Sequence, residues 1–300
     1  MIRRGASQGE ALAVWVMHTA NLLAVFVVYS VVDPSDLYKV SRSGIEGGAS
    51  RALVQLNFPI ALAAILLVLL ALDALPRRAW LVGGPALVLC AVVAWPGVLD
   101  PDDLDARPVN VLPAVGVVLA AALTFAAGRS AGWSLAPART GDRARIVAAV
   151  VLILVSLPWI AAAVGVHFPQ GLFRTTEPYA EPGEETTASV HLGQHHGTAG
   201  LLLALTALLL SRPRLVTNRL RAVYAALACL ALTYGVANMA NDFWHEQVVK
   251  RGWASTDVPE ATQPSINLTW AFVIVTAIVL YTLGFARRDV ARSTGDNPLR

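Results

Sequence analysis

Long apolar stretches dominate this chain, and short polar segments separate them. Eight stretches of roughly 20 residues carry almost no charge, which is the length that a helix needs to cross a hydrocarbon core about 30 Å thick. Backbone amides find no partner in lipid, so such stretches must be helices. The predicted spans are residues 11–32, 53–75, 79–99, 109–127, 146–166, 190–210, 217–241 and 266–286. The predicted fold class is therefore all-α, a polytopic membrane helix bundle with eight transmembrane helices.

The composition of the 300 residues agrees with this pattern. Hydrophobic residues make up 56% of the chain and charged residues only 14%, whereas about 25% of the residues in a soluble domain are charged. No segment between the spans has the composition of a soluble domain, so residues 1–300 are predicted to form a single transmembrane domain. The expected partner is the lipid bilayer, with other membrane subunits as a further candidate.

The distribution of charge predicts how the spans are oriented. If the amino terminus is cytoplasmic, 16 of the 23 Lys and Arg residues fall in cytoplasmic segments, and 15 of the 20 Asp and Glu residues fall outside. A basic excess in short cytoplasmic loops is typical of membrane proteins. Both termini are thus predicted to be cytoplasmic and the outer loops extracytoplasmic. The basic residues act as topological anchors and give no sign of nucleic acid. The abundance of Arg, Ala, Val and Leu favours a bacterial inner membrane.

Polar residues that can carry chemistry concentrate at the extracytoplasmic ends of three spans. The stretch SVHLGQHHGTAG, residues 189–200, holds three of the six histidines at the start of the sixth span. The last turns of the seventh span, YGVANMANDFWHEQ, carry polar side chains at helical spacing. These are Tyr234, Asn238, Asp242 and His245. Because the fifth span ends at His167, the sequence predicts one polar pocket between spans five, six and seven.

The residue types in this pocket predict a metal site. Imidazole suits Zn, Cu and Fe, and histidines four residues apart on one helix, such as His191 and His195, share a face and can reach one ion. The predicted ligands are His191, His195, His245 and Asp242, with Asp242 acting either as the fourth ligand or as a general base. A water molecule in an open position would make the site catalytic. Further candidates are His196, His167, Glu246, Asn238 and Tyr234.

The leading hypothesis is therefore a metal-binding membrane protein, which would act on a lipidic or small apolar substrate if the site is catalytic. The alternative is a non-catalytic subunit or assembly factor of a membrane complex. A transporter or a haem or quinone electron-transfer protein comes third. A haem would be non-covalent, because the chain has no C-x-x-C-H segment. No Asp, Glu, Lys or Arg falls in the middle third of a predicted span, which disfavours ion-coupled transport. His18 is predicted to form a helix–helix hydrogen bond.

Overall fold

Helices account for almost all the secondary structure of the computed structural model. The structure describes residues 6–31, 42–99, 103, 105–166, 171–175, 178–179, 187–188, 190–192, 194–256, 258–262 and 264–286. Within these residues, the paired strands are two residues long: β1 (Pro178–Tyr179) runs antiparallel to β2 (Thr187–Ala188).

The α-helices follow one another with few long connections. In chain order they are α1 (Gly9–Val31), α2 (Gly44–Gln55), α3 (Ala61–Ala74), α4 (Trp80–Ala91), α5 (Val111–Ala131), α6 (Asp142–Val155), α7 (Leu157–Ala163), α8 (Gln194–Leu210), α9 (Asn218–Phe243) and α10 (Leu268–Tyr281). Short 3-10 turns flank α4 and precede α5, at Arg77–Ala79, Val92–Ala94 and Pro108–Asn110. Wider π-helical turns join α2 to α3 and extend α9 and α10, at Leu56–Ile60, Trp244–Val249 and Thr282–Ala286.

Five helical segments of the described chain are long and apolar enough to cross a membrane. They are Gly9–Val31, Gly44–Ala74, Arg77–Ala94, Pro108–Ala131 and Asn218–Val249. The pair α6 and α7, bent by 55° at its break, makes a sixth if it counts as one span, whereas α8 and α10 are apolar but shorter. Helix is thus found in every predicted span, although several ends differ, by up to nine residues. The segment of α2 and α3 begins nine residues before the predicted position 53, and α8 begins four residues after the predicted position 190.

Proline accounts for two of the helix breaks. Phe58, which precedes Pro59, has φ −143° and ψ 118°, outside the helical region, because the proline ring crowds the helical conformation of the residue before it. Pro158 lies in the first turn of α7, directly after the bend. An amide hydrogen has no intrahelical acceptor in a first turn, so a helix can resume there despite proline.

Helix α3 lies at the centre of the bundle. One set of its side chains packs on α4 and α5 in a cluster that includes Ala64, Val68, Cys90 and Ala120. Another set packs on α1 and the ends of α8 and α9 in a cluster that includes Val14, Leu67, Leu210 and Tyr224. By contrast, α6 has no buried residue, and apolar side chains such as Ile146 are 63% exposed. An apolar surface of this kind suits contact with lipid.

One end of the bundle is held together by charged side chains. Arg212, between α8 and α9, lies with Nη1 2.9 Å from Oε1 of Glu10 in α1 and with Nη2 3.3 Å from Oδ2 of Asp142 in α6. The backbone amide of Ala136 also donates to Oε1 of Glu10, over 2.8 Å. These contacts fasten four segments at the end that the sequence predicts to be cytoplasmic.

Candidate functional site

The helices that carry the predicted site residues pack together at the opposite end. Gly200 of α8 faces Gly235 of α9 so closely that a Cβ added to either would lie 2.5 Å from the carbonyl oxygen of the other. A Cβ at Gly197 would overlap the indole of Trp159 in α7. Small residues at such positions let helix backbones approach each other. This close packing places the polar ends of α7, α8 and α9 side by side.

Asp242 is bound by a side chain of α7. Its Oδ2 accepts a hydrogen bond from Nε1 of Trp159 over 2.6 Å, and both residues are buried, at 6% and 4% exposure. The indole N–H can only donate, so the carboxyl group is held towards α7. No sequence pattern indicates Trp159 as a site residue, because its position on α7 shows no relation to α9 until the helices pack.

Polar side chains of α9 and its extension bind the backbone of the loop that precedes α10. The hydrogen bonds run from His245 Nε2 to the carbonyl of Val258 (2.6 Å), from Asn241 Nδ2 to that of Pro259 (3.2 Å) and from Tyr234 OH to that of Thr262 (3.0 Å). A carbonyl only accepts, so Nε2 of His245 carries the proton. His245 and Tyr234, predicted as ligand and site residue, therefore fasten this loop in the structure.

His191 and Glu246 approach each other at the same end. Nε2 of His191 lies 3.6 Å from Oε2 of Glu246, and both side chains are largely buried. Lys250 also contacts Glu246, with Nζ 2.8 Å from Oε1. Gln247 donates from Nε2 to the backbone carbonyl of His191 over 3.1 Å and fixes that residue against the extension of α9.

The prediction that His191 and His195 share one face of a helix is wrong, because His191 is not in a helix. Helix α8 begins at Gln194, so His191 lies in the non-helical segment before it and helical spacing does not relate the two residues. His195 lies in the first turn of α8, but its side chain is outside the described part of the structure, as is the whole of His167.

His196 and Asn238 link α8 to α9 next to the glycine pair. Nδ1 of His196 lies 3.4 Å from Oδ1 of Asn238, and Nδ2 of Asn238 donates to the backbone carbonyl of His196 over 3.3 Å. Asn238, like Asp242, is almost completely buried. Both residues therefore belong to the contact between the two helices.

The predicted ligands do not form a complete metal site in the described residues. No three side chains of His, Cys, Asp or Glu among them lie close enough together to hold one ion. His191 and Glu246 provide two ligand groups, whereas Asp242 and His245 face different partners. The ligand set His191, His195, His245 and Asp242 stays a prediction, because the His195 side chain is not described.

Comparison with known proteins indicates no family and no function for the chain. No protein-family model matches the chain, and neither does any curated protein or solved structure. The functional interpretation therefore depends on the geometry of the residues themselves.

Proposed function

We propose that the chain is an eight-span protein of the bacterial inner membrane, with both termini in the cytoplasm and a metal-binding pocket at its extracytoplasmic end. The exposed apolar surfaces of α6 and α10 support insertion into lipid. The charged contacts of Arg212 lie at the end where the basic loops gather, as expected for a cytoplasmic face.

The approach of His191 to Glu246 is the observation that carries the metal proposal. An imidazole nitrogen and a carboxylate oxygen 3.6 Å apart can converge on one ion with small side-chain rotations, and this pair of ligand types suits Zn, Cu or Fe. We assign His191 and Glu246 as two ligands and His195 as the third. The fourth position takes water, which the ion would activate for attack on a lipidic or small apolar substrate.

The contacts of the other predicted residues favour a second candidate function. Tyr234, Asn241 and His245 use their polar atoms to order the loop over residues 258–262. An ordered extracytoplasmic loop offers a fixed surface to another protein, which supports a non-catalytic subunit of a membrane complex.

Metal analysis of the detergent-purified protein tests the first proposal against the second. We expect about one equivalent of a transition metal in the wild type, as in a site with one ion. The ion should be lost in His191→Ala and in Glu246→Gln. His245→Ala is the matched control, because it removes an imidazole that is bonded to a carbonyl, and it should keep the ion. A folded wild type that takes up no metal rejects the metal proposal and favours the non-catalytic subunit. A Soret band in the absorption spectrum would indicate a haem protein instead.

A further inference from the structure

A group of buried polar atoms lies halfway along α1 and at the junction of α2 with α3. Five of its side-chain atoms have no hydrogen-bond partner among the described residues. They are Nε1 of Trp15, Nδ1 of His18, Nδ2 of Asn21, Oε1 of Gln55 and Oδ1 of Asn57. Native interiors pair most buried polar atoms with protein or water, so five unpaired atoms on neighbouring helices require an explanation.

Helix packing brings the unpaired atoms of α1 and those of Gln55 and Asn57 to the same height along the helix axes. Helix α1 runs antiparallel to α2 and α3: the carbonyls of Phe26 and Tyr29, near its end, face Gly48 and Gly47, whereas Ala11 and Val14, near its start, pack with Leu66 and Leu67. With both helices rising about 1.5 Å per residue, Gln55 reaches the level of the turn after His18.

Helix α8 completes this site. Nε2 of His18 lies 2.9 Å from Oγ1 of Thr206, and both residues are buried. Phe58, at the break between α2 and α3, packs in one cluster with Ala199 and Leu203 of α8. We call the residues where these helices meet the polar junction; its members are Trp15, His18, Asn21, Gln55, Asn57 and Thr206.

The polar junction coincides with the break between α2 and α3. The backbone of Phe58 leaves the helical region there, and the side chain of Asn57 donates from Nδ2 to the carbonyl of Leu53 over 2.5 Å. At membrane depth, irregular backbone occurs where protein buries it or where it lines a water-filled cavity. In transporters, interrupted helices of this kind form the binding site near the midplane.

Buried polar side chains continue from the junction to both ends of α1. Glu10 lies at one end, and Arg51 and Ser50 lie towards the other, all of them buried. Oγ of Ser50 accepts from the amide of Ala106, in a segment that borders a cavity of about 240 Å³ lined by Leu99, Asp103, Arg107 and Asn110. From Glu10 to Tyr29 the helix rises about 28 Å, close to the hydrocarbon thickness of about 30 Å.

We propose that this seam between α1 and α2 conducts small uncharged hydrogen-bonding solutes, the class of water and urea, with the polar junction as its narrowest point. The unpaired atoms include donors on Trp15 and Asn21 and acceptors on Gln55 and Asn57, so a passing molecule must both accept and donate. The proposal concerns a different part of the molecule from the metal pocket and does not rest on it.

Between its two ends, the seam favours uncharged solutes over cations. Between Glu10 and Glu46, the described residues of α1 and α2 carry no carboxylate that would balance a positive charge. The seam is closed in this structure, since Gln55 is 2% exposed, and it opens by rotation of the amide side chains.

Stopped-flow light scattering of liposomes that contain the full-length protein tests this conduit, with water and urea as the probes. We expect the wild type to raise permeability to one or both probes several-fold over protein-free liposomes. Gln55→Leu and Asn57→Leu should remove most of that increase, because each replaces an acceptor of the junction by an apolar side chain.

A matched pair of threonine variants controls for general damage to the fold. Thr206→Val removes the hydroxyl that holds His18, whereas Thr124→Val removes a hydroxyl that donates within its own helix, to the carbonyl of Ala120 over 2.9 Å. We expect a loss of permeability in the first only. Three results would each overturn the conduit: wild-type permeability equal to that of empty liposomes, equal losses in both threonine variants, or collapse of a sodium gradient. If the leucine variants do not fold, the comparison of Thr206→Val with Thr124→Val still tests the conduit.

Discussion

Trp159 of α7 donates to Asp242 of α9 across the first turn of α8, over 2.6 Å between Nε1 and Oδ2. The chain makes this contact possible by placing Gly197 where any side chain would overlap the indole. The ring of Phe243 also packs near the indole, with 6.3 Å between ring centroids. One hydrogen bond therefore fixes the relative positions of three helices at the end that carries the candidate site.

Replacement of this donor is expected to destabilise the protein. Trp159→Phe keeps an aromatic ring but removes the N–H, and a buried hydrogen bond to a carboxyl group contributes about 2 kcal/mol. We expect a lower melting temperature in detergent, followed by circular dichroism. Trp253→Phe is the control, because Trp253 is 70% exposed, and it should melt like the wild type. Equal melting of the two variants would show that the Trp159 bond contributes nothing to stability.

The glycine contact between α8 and α9 leads to a second expectation. Gly200→Ala puts a methyl group 2.5 Å from the carbonyl oxygen of Gly235, so the helices must separate. Overpacking of this kind costs about 1–3 kcal/mol. Gly84→Ala makes the same change in α4, where nothing lies within 4 Å, and the higher helix propensity of alanine should stabilise it slightly. Thermal unfolding of the two variants should therefore shift in opposite directions, and a stabilised Gly200→Ala would contradict this close packing.

The contacts of Arg212 allow a third test, at the other end of the bundle. Arg212→Gln leaves Glu10 buried without its charged partner, and loss of one partner from a buried ion pair costs about 3 kcal/mol. Arg214→Gln removes the same charge from an exposed side chain of the same loop and should have little effect. A double variant with Glu10→Gln should recover part of the loss, as read from unfolding midpoints. If Arg212→Gln and Arg214→Gln unfold alike, this ion pair does not hold the loop.

The positions of the helices could be predicted from the apolar stretches, because lipid sets both their length and their composition. Their ends could not be predicted where tertiary contacts set them. Helix α2 begins at Gly44 because Gly47 and Gly48 pack on α1 and because the ring of Tyr29 covers Arg51. Averaged over a window, glycines and an arginine indicate a loop, so the sequence placed this turn outside the membrane.

The positions of two site residues along their helix were also predictable, whereas their partners were not. Helical spacing placed Asn238 and Asp242 at one end of a span, where the structure has them. Their partners His196 and Trp159, however, lie on other helices. The same limit applies to His18, whose partner Thr206 follows it by 188 residues. Periodicity reports which face of a helix a residue occupies and contains no information about the neighbour that packs there.

The proposed number of spans can be tested with reporter fusions, and the loop between α8 and α9 is the decisive position. Eight spans place Arg214 in the cytoplasm and Trp253 outside. Green fluorescent protein fused after Arg214 should therefore fluoresce, and alkaline phosphatase fused after Trp253 should be active, since its disulfides form only outside the cytoplasm.

Helix α8 has only 17 residues, about 25 Å of rise, so its crossing needs thinning of the bilayer or help from the segment before it. If α8 does not cross, Arg214 stays on the side of residues 190–192, and a phosphatase fused there becomes active. That result would move the contacts of Arg212 with Glu10 and Asp142 to the same side as the histidines, and it would reject the eight-span topology.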